Sequence, residues 1–253
     1  MSRRPDRQQR SNGSTTTPTL PSLDPGLHLV DVDERAVGTV QSLVIDHVLT
    51  SDHSGTTVLW TDSNGVATTN SLTRLVPSMR LLDRIQVAQA FTAYQHQSLI
   101  SQLSDVVDDT TSLVVVPEFE FHYHSPDVRF GVAYDLVKAG VETLATLAEE
   151  EELPILVTRE TTASLSAPIV EAADSVLECE LTRFGPRFVG EEFETLVYPV
   201  EGGFQTTLSY WAEILSVRFQ AVQDGTVPDS PSVSSSAESA TTSTLEVSVD
   251  GTD

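Results

Sequence analysis

A short, uninterrupted apolar run in the middle of the chain constrains the fold most. Leu113–Val116 reads Leu-Val-Val-Val and follows a polar break at 108–112. A run of this length, rich in β-branched residues, is typical of a strand that is buried on both faces, as in parallel sheets covered by helices on both sides. We therefore predict that Leu113–Val116 lies inside a mostly parallel sheet.

Strand and helix patterns alternate before and after this run. Short β-forming runs predict strands at 27–32, 57–61, 85–88 and 153–158. Apolar residues spaced three or four apart predict helices at 38–49, 71–79, 91–107, 129–152 and 167–173. Towards the end, the patterns predict an antiparallel hairpin with strands 175–182 and 193–200 around a turn at 185–186, then a strand at 204–211 and a helix at 212–222. Repeated βα units followed by a hairpin predict an α/β fold with a doubly wound, mostly parallel sheet and an antiparallel C-terminal extension.

Composition divides the chain into one core domain and two polar ends. We predict a disordered N-terminal tail at 1–25, a core domain at 26–223 and a disordered, acidic, Ser/Thr-rich tail at 224–253. Within that tail, 245–249 alternates apolar and polar residues and would suit pairing with a sheet edge. Cys179 is the only cysteine, and no apolar run approaches the length of a membrane span, so we expect a cytoplasmic protein.

The charge balance is strongly acidic. The 253 residues carry a net charge of −23, and residues 27–223 alone contain 29 acidic and 10 basic side chains. Lys138 is the only lysine. An acidic, lysine-poor surface resembles that of proteins from salt-accumulating halophiles, in which salt screens the self-repulsion. At low salt such a surface would repel nucleic acid.

One segment resembles a known family. Ile85–Leu99, IQVAQAFTAYQHQSL, resembles the "NVxxARAFNxxHQxxLL" stretch of archaeal RadA recombinases. With it as an anchor, LWTDSNG at 59–65 stands where the family has "YIDTEG", and 113–117 stands where it has "LLIVD". The segments 33–41 and 158–160 fall at the family's "GExxTGKTQ" and "TNQ". The resemblance covers about residues 26–205 and implies a three-layer, RecA-like ATPase fold.

Where this family binds ATP, the chain carries different residues. Thr39 replaces the Lys that contacts the β- and γ-phosphates, and Val40 replaces the hydroxyl residue that binds Mg²⁺. Asn64 replaces the Glu that activates water, Pro117 replaces the metal-holding Asp, and Glu160 replaces the Gln that senses the γ-phosphate. The relic phosphate-site positions are Gly38, Thr39, Val40, Asn64, Pro117 and Glu160. We therefore predict no catalytic residue, no cofactor and no ATP hydrolysis.

Two other groups of residues offer alternative chemistry. If the chain stays extended beyond Pro117, one face carries two carboxylates and two imidazoles that would suit Zn²⁺ or Mn²⁺. These weak metal candidates are Glu118, Glu120, His122 and His124. Arg183 and Arg187 flank the predicted hairpin turn with aromatic neighbours, a weak signal for contact with nucleic acid or a partner. A solvated surface is the simpler interpretation of both groups.

Three functional hypotheses follow from these observations. The first is a non-catalytic RecA/RadA-like protein that acts through protein contacts, as an accessory or regulatory factor in DNA recombination or repair; a RadA-type recombinase is its expected partner. The second is a DNA-binding RadA paralogue without ATPase activity. The third is an unrelated enzyme that uses a metal at 118–124.

Overall fold

The fold is a three-layer α/β sandwich, seen in a computed structural model that describes residues 19–51, 55–159, 164–182, 185–190, 194–196, 207–226 and 232–233. The strands, in chain order, are β1 (Ser22–Leu23), β2 (Gly26–Val32), β3 (Thr57–Asp62), β4 (Ile85–Gln89), β5 (Thr111–Val116), β6 (Pro154–Thr158), β7 (Ser175–Thr182), β8 (Gly185–Val189), β9 (Glu194–Leu196) and β10 (Ser232–Val233). The α-helices are α1 (Thr39–Thr50), α2 (Thr69–Leu75), α3 (Ala93–Ser101), α4 (Leu103–Val106), α5 (Phe130–Glu150), α6 (Ala167–Ala172) and α7 (Thr207–Gln223). Short 3-10 helices span Met79–Arg84, Phe121–His124 and Ser164–Ser166.

The main sheet of the described residues has eight strands in the order β4-β3-β5-β6-β2-β7-β8-β9. The strands from β4 to β7 are parallel to their neighbours, and the β7–β8 and β8–β9 pairs are antiparallel. β5 lies between β3 and β6, and Val115 stands opposite Trp60 on one side and Leu156 on the other. The predicted interior position of Leu113–Val116 is therefore confirmed, as is the mostly parallel sheet with its antiparallel extension.

Alternation along β5 shows how the two helical layers are built. Leu113 and Val115 face a core cluster that includes α1, α2 and α7, whereas Val114 and Val116 face a second cluster that includes α3, α5 and α6. All four side chains are fully buried. Because successive side chains of a strand point to opposite faces, an uninterrupted apolar run supplies both layers at once.

The C-terminal part of the core differs from the sequence prediction. The predicted strand at 204–211 is wrong where the structure describes it, because residues from Thr207 onward belong to α7. β-forming residues such as Tyr210 and Trp211 suggested a strand, but these two side chains and Ile214 pack against the first core cluster at helical spacing. The return strand also comes earlier than predicted: β8 follows β7 almost directly, and β9 is short.

The described chain enters the core before the predicted boundary at residue 26. Leu20 is fully buried in the first core cluster, and β1 pairs in parallel with β10, within the segment predicted as a C-terminal tail. Two predicted helices are also shorter: α2 ends before Pro77, and the helix predicted at 91–107 is divided between α3 and α4. Among the described residues, no helix combines the length and the apolarity that a bilayer span requires.

Candidate functional site

A cleft opens where parallel strands of the sheet end. It has a volume of about 450 Å³ and is lined by residues of the segments 32–41, 64–66, 117–118 and 158–159, with Ser71. These segments follow β2, β3, β5 and β6 or lie at their carboxyl ends, which is where open parallel sheets bind ligands. The cleft brings together five of the predicted relic positions: Gly38, Thr39, Val40, Asn64 and Pro117. Glu160 lies outside the described residues.

Thr39, at the position predicted to have lost a lysine, is directed into the protein. Its hydroxyl donates a hydrogen bond to the Ala36 carbonyl at 2.6 Å and lies 3.4 Å from the Cys179 sulfur. The backbone N–H of Thr39 also donates to the Ala36 carbonyl, at 3.4 Å. Burial raises the pKa of the Cys179 thiol to about 12, so this neighbour stays neutral. The side chain of the first residue of α1 is thus engaged by contacts within the chain.

Side chains of α7 pack against Gly38, the residue that directly precedes α1. Gly38 has φ of 90°, a left-handed backbone that favours glycine. A Cβ atom at this position would lie 2.9 Å from Leu208 Cδ2 and 3.2 Å from Trp211 Cδ1. Glycine is therefore required here for chain geometry and for packing against α7, which is a structural role that needs no bound phosphate.

Two arginines at or beside the cleft form ion pairs with aspartates. Arg159, which follows β6, makes a two-pronged ion pair with Asp31 of β2, with Nε 2.6 Å from Oδ1 and Nη2 in contact with Oδ2. Arg35 donates to Asp33 through its backbone N–H and its guanidinium at 2.6–3.0 Å. These hydrogen bonds hold the pKa of the Asp33 carboxyl well below its usual range. In the described part of the chain, Arg159 and Arg35 therefore both already have a carboxylate partner.

A carboxylate also stands beside the position predicted to have lost its metal-holding Asp. Glu118 directly follows the buried Pro117, and its Oε2 accepts a hydrogen bond from Asn64 Nδ2 at 2.7 Å. Its backbone adopts a left-handed φ of 47°, and its N–H donates to the Thr158 hydroxyl at 2.8 Å. The hydrogen bond between Asn64 and Glu118 joins the ends of β3 and β5. The Glu118 carboxylate also adds negative charge to a cleft that already contains Glu34.

The extended arrangement of 118–124 on which the metal hypothesis depended is not what the structure shows. The chain turns at Glu118 and then forms the 3-10 helix Phe121–His124, so alternate residues no longer share a face. Glu120 is fully buried and accepts a hydrogen bond from the Ser166 hydroxyl at 2.7 Å, whereas His124 is exposed. His122 lies 3.0 Å from the Ala90 carbonyl. Within the described ranges, no group of three or more His, Cys, Asp or Glu residues is placed to hold a metal.

Of the two arginines predicted to flank the hairpin turn, the structure describes only Arg187. Arg183 lies outside the described residues. Arg187 lies in β8, where its guanidinium donates to Glu180 of β7 at 2.7 Å and to Glu194 of β9 at 3.0 Å. These cross-strand ion pairs give Arg187 a structural role in the antiparallel extension.

The edge strand β4 is a second candidate site, which sequence reasoning used only as a family anchor. Four of its five residues are exposed, and β4 pairs only with β3 in the described part of the chain. Val87 is 46% exposed, and Phe91 and Tyr94, at the start of the following helical segment, are 69% and 63% exposed. Residues 85–104 contain no Asp, Glu, Lys or Arg, in a chain of which 20% is charged. This uncharged stretch was visible in the sequence, but its exposure was not.

Below this surface lies a buried aromatic cluster. His96 packs edge-on against Phe119 and Tyr123, and its Nδ1 lies 2.9 Å from the Tyr123 hydroxyl. Burial lowers the pKa of His96 to about 4. The cluster fixes the start of α3 against the turn that follows β5. It therefore gives the exposed Phe91 and Tyr94 a rigid base.

The comparisons with known proteins add no family. A scan against models of protein families gave no match, and a search of curated proteins also found none. The two candidate sites of this chain are the cleft and the edge formed by β4, Phe91 and Tyr94, which we call the β4 edge.

Proposed function

We propose that this chain is a non-catalytic, RecA/RadA-like protein that acts through protein contacts, as an accessory or regulatory factor in DNA recombination or repair. The observation that carries the proposal is the β4 edge, which exposes Val87, Phe91 and Tyr94 and has no charged side chain, on a strongly acidic protein. Its expected partner is a RadA-type recombinase that supplies an extended segment to this edge.

The backbone of β4 supports a contact of this kind. An edge strand presents unpaired N–H and C=O groups, and soluble proteins protect such edges with charged side chains, proline or bulges. Ile85–Gln89 contains none of these, and its pairing with β3 is regular over all five residues. A partner strand would continue the sheet through main-chain hydrogen bonds, with apolar side chains giving specificity.

The side chains around β4 support the same conclusion. The cores of protein interfaces are depleted in charged residues and enriched in aromatic ones. Phe91 and Tyr94 provide two exposed aromatic rings beside Val87. On a chain with net charge −23, an uncharged exposed surface is where another protein can approach with the least electrostatic desolvation cost.

The cleft supports a function without ATP hydrolysis. An ATP site needs cationic groups and a metal to offset the charge of the phosphates. Here Arg159 and Arg35 are engaged by Asp31 and Asp33, and the Thr39 side chain turns into the protein. The meeting of five relic positions at one cleft supports the alignment with the RadA family, while the chemistry of those positions argues against its reaction.

The proposal is tested with the purified RadA-type recombinase of the same host, at about 2–3 M KCl, where an acidic surface is screened. Sedimentation velocity should show a complex with the unmodified chain. Val87→Asp or Phe91→Asp should weaken it by at least about tenfold, because a charge would be buried at the contact.

A matched control adds the same charge elsewhere. Ala139 is exposed on α5, and Ala139→Asp should leave the complex unchanged. Circular dichroism melting of all three variants checks that each is folded. No complex with the unmodified chain, or equal binding by all three variants, would refute the proposed contact.

A further inference from the structure

We infer that residues 245–249 of this chain add to the β4 edge as an extra strand in cis and compete there with the partner. The competition with a partner rests on the proposed function, whereas the contact of the segment with the β4 edge does not. It commits to one occupant, the sequence Leu-Glu-Val-Ser-Val at Leu245–Val249.

The pattern of the segment fits one face of β4. Leu245, Val247 and Val249 alternate with polar residues, so in an extended chain all three point to the same side. On β4, Ile85 and Val87 share the face that continues the first core cluster, since they stand opposite Val58 and Trp60 of β3. An added strand would place its apolar side chains beside the half-exposed Val87 and its polar side chains on the other side.

The segment is also distinctive within its surroundings. Residues 234–244 consist entirely of Ser, Thr, Ala and Glu, which are poor at burying apolar area. Leu245–Val249 is the part of 234–253 that combines β-branched residues with strict alternation. Its Glu246 and the following Asp250 would restore charge to an edge that lacks it, which is how soluble proteins protect sheet edges.

The chain can reach the β4 edge from the last described strand. β10 pairs with β1, which directly precedes β2, and β6, β5 and β3 separate β2 from β4. At about 4.8 Å per strand, a strand added outside β4 lies about 24 Å from β2 across the sheet and at most about 20 Å along the strands, or about 31 Å in a straight line. Residues 234–244, 11 in all, span up to about 36–40 Å when extended. The linker is therefore long enough without strain.

Hydrogen exchange read by mass spectrometry tests the inference without any partner. The peptide 85–92 should exchange slowly in the unmodified chain and at least about fivefold faster in Leu245→Asp/Val247→Asp, because the added strand is lost. The matched control, Ser236→Asp/Ser239→Asp, adds the same charge to the same region outside the segment and should exchange like the unmodified chain. Equal exchange in all three proteins would overturn the inference.

Two further measurements separate cis from trans and separate this inference from the proposed function. Protection of 85–92 should be independent of protein concentration, with a monomer by light scattering; protection that disappears on dilution would overturn pairing in cis. Leu245→Asp/Val247→Asp should bind the recombinase about tenfold more tightly, since the competing segment is removed. If protection changes as expected but the recombinase binds neither protein, the segment contact stands and the proposed function fails. If the recombinase binds but the protection of 85–92 is equal in all proteins, the proposed function stands and the segment contact fails.

Discussion

The ion pair between Asp46 of α1 and Arg218 of α7 gives the sharpest test of how the first helical layer is held together. Arg218 is fully buried and Asp46 nearly so. The guanidinium meets the carboxylate with two hydrogen bonds, Nη2 to Oδ2 at 2.9 Å and a shorter Nε to Oδ1. The perturbation is Arg218→Met, which keeps the side-chain length but removes the charge.

The expected cost follows from the burial of both groups. Replacing one member of a buried ion pair leaves the other charge without its counter-ion, and this typically costs about 3–5 kcal/mol. The pair itself is worth little when both members are replaced together by apolar residues. The double variant Asp46→Leu/Arg218→Met should therefore recover most of the loss and unfold within about 1–2 kcal/mol of the unmodified protein.

Urea unfolding at fixed salt measures these free energies. Lys138→Met is the matched control, because it breaks a pair with Glu142 that is 3.8 Å long and 57% and 64% exposed. That variant should change stability by no more than about 0.5 kcal/mol. A loss below about 1 kcal/mol for Arg218→Met, or a double variant as unstable as the single one, would refute the assignment of a buried, coupled pair.

Four other predictions follow from the same structure. Val115→Asp should destabilise the fold by several kcal/mol and Glu150→Ala hardly at all, because Val115 is fully buried and Glu150 exposed; equal urea midpoints would contradict this. The melting temperature should rise steeply between about 0.1 and 3 M KCl as carboxylate repulsion is screened, and a flat profile would refute the halophilic interpretation. Neither the unmodified chain nor Thr39→Lys should hydrolyse about 1 mM Mg-ATP or shift in melting temperature with it; saturable binding below about 100 μM in calorimetry would show a phosphate site elsewhere. The pKa of His96 is about 4 in the folded protein, against 6.5 for the unfolded chain, so the unfolded chain binds more protons between these pH values. The free energy of unfolding should therefore fall as the pH drops from about 7 to 5, and His96→Asn should show a shallower fall. Identical pH slopes for the two proteins would rule out a contribution of His96 to this pH dependence.

The central strands and their covering helices could be predicted from sequence because their signals are local. The run at 113–116 is apolar at every position, and all of its side chains are buried only when helices cover both faces of the sheet. The apolar stripe of α5 has the helical period, and the structure extends it over Phe130–Glu150, close to the predicted 129–152. Five of the six positions singled out from the sequence also line one cleft, since strand ends in a parallel sheet meet on the same side.

Other features required contacts between residues that are far apart in the chain. Thr207–Trp211 is rich in β-forming residues, but it is helical, with Trp211 buried against the first core cluster and close to Gly38. The ion pair of Asp31 with Arg159, which engages the Arg159 guanidinium beside the cleft, joins residues 128 positions apart. Likewise, the turn at the start of 118–124 is held by the hydrogen bond from the Glu118 N–H to the Thr158 hydroxyl. Local propensity carries none of these interactions.

The position of β4 shows most clearly where sequence information ends. The composition of 85–104 establishes that the segment has no charge, and its pattern establishes a strand followed by a helix. Whether that strand lies inside the sheet or at its edge depends on strand order, which is set by how the crossover helices pack and not by any property of the strand itself. In the interior, an uncharged strand is ordinary core; at the edge, the same residues form a surface for another chain, because half of the backbone hydrogen-bonding groups then face outward.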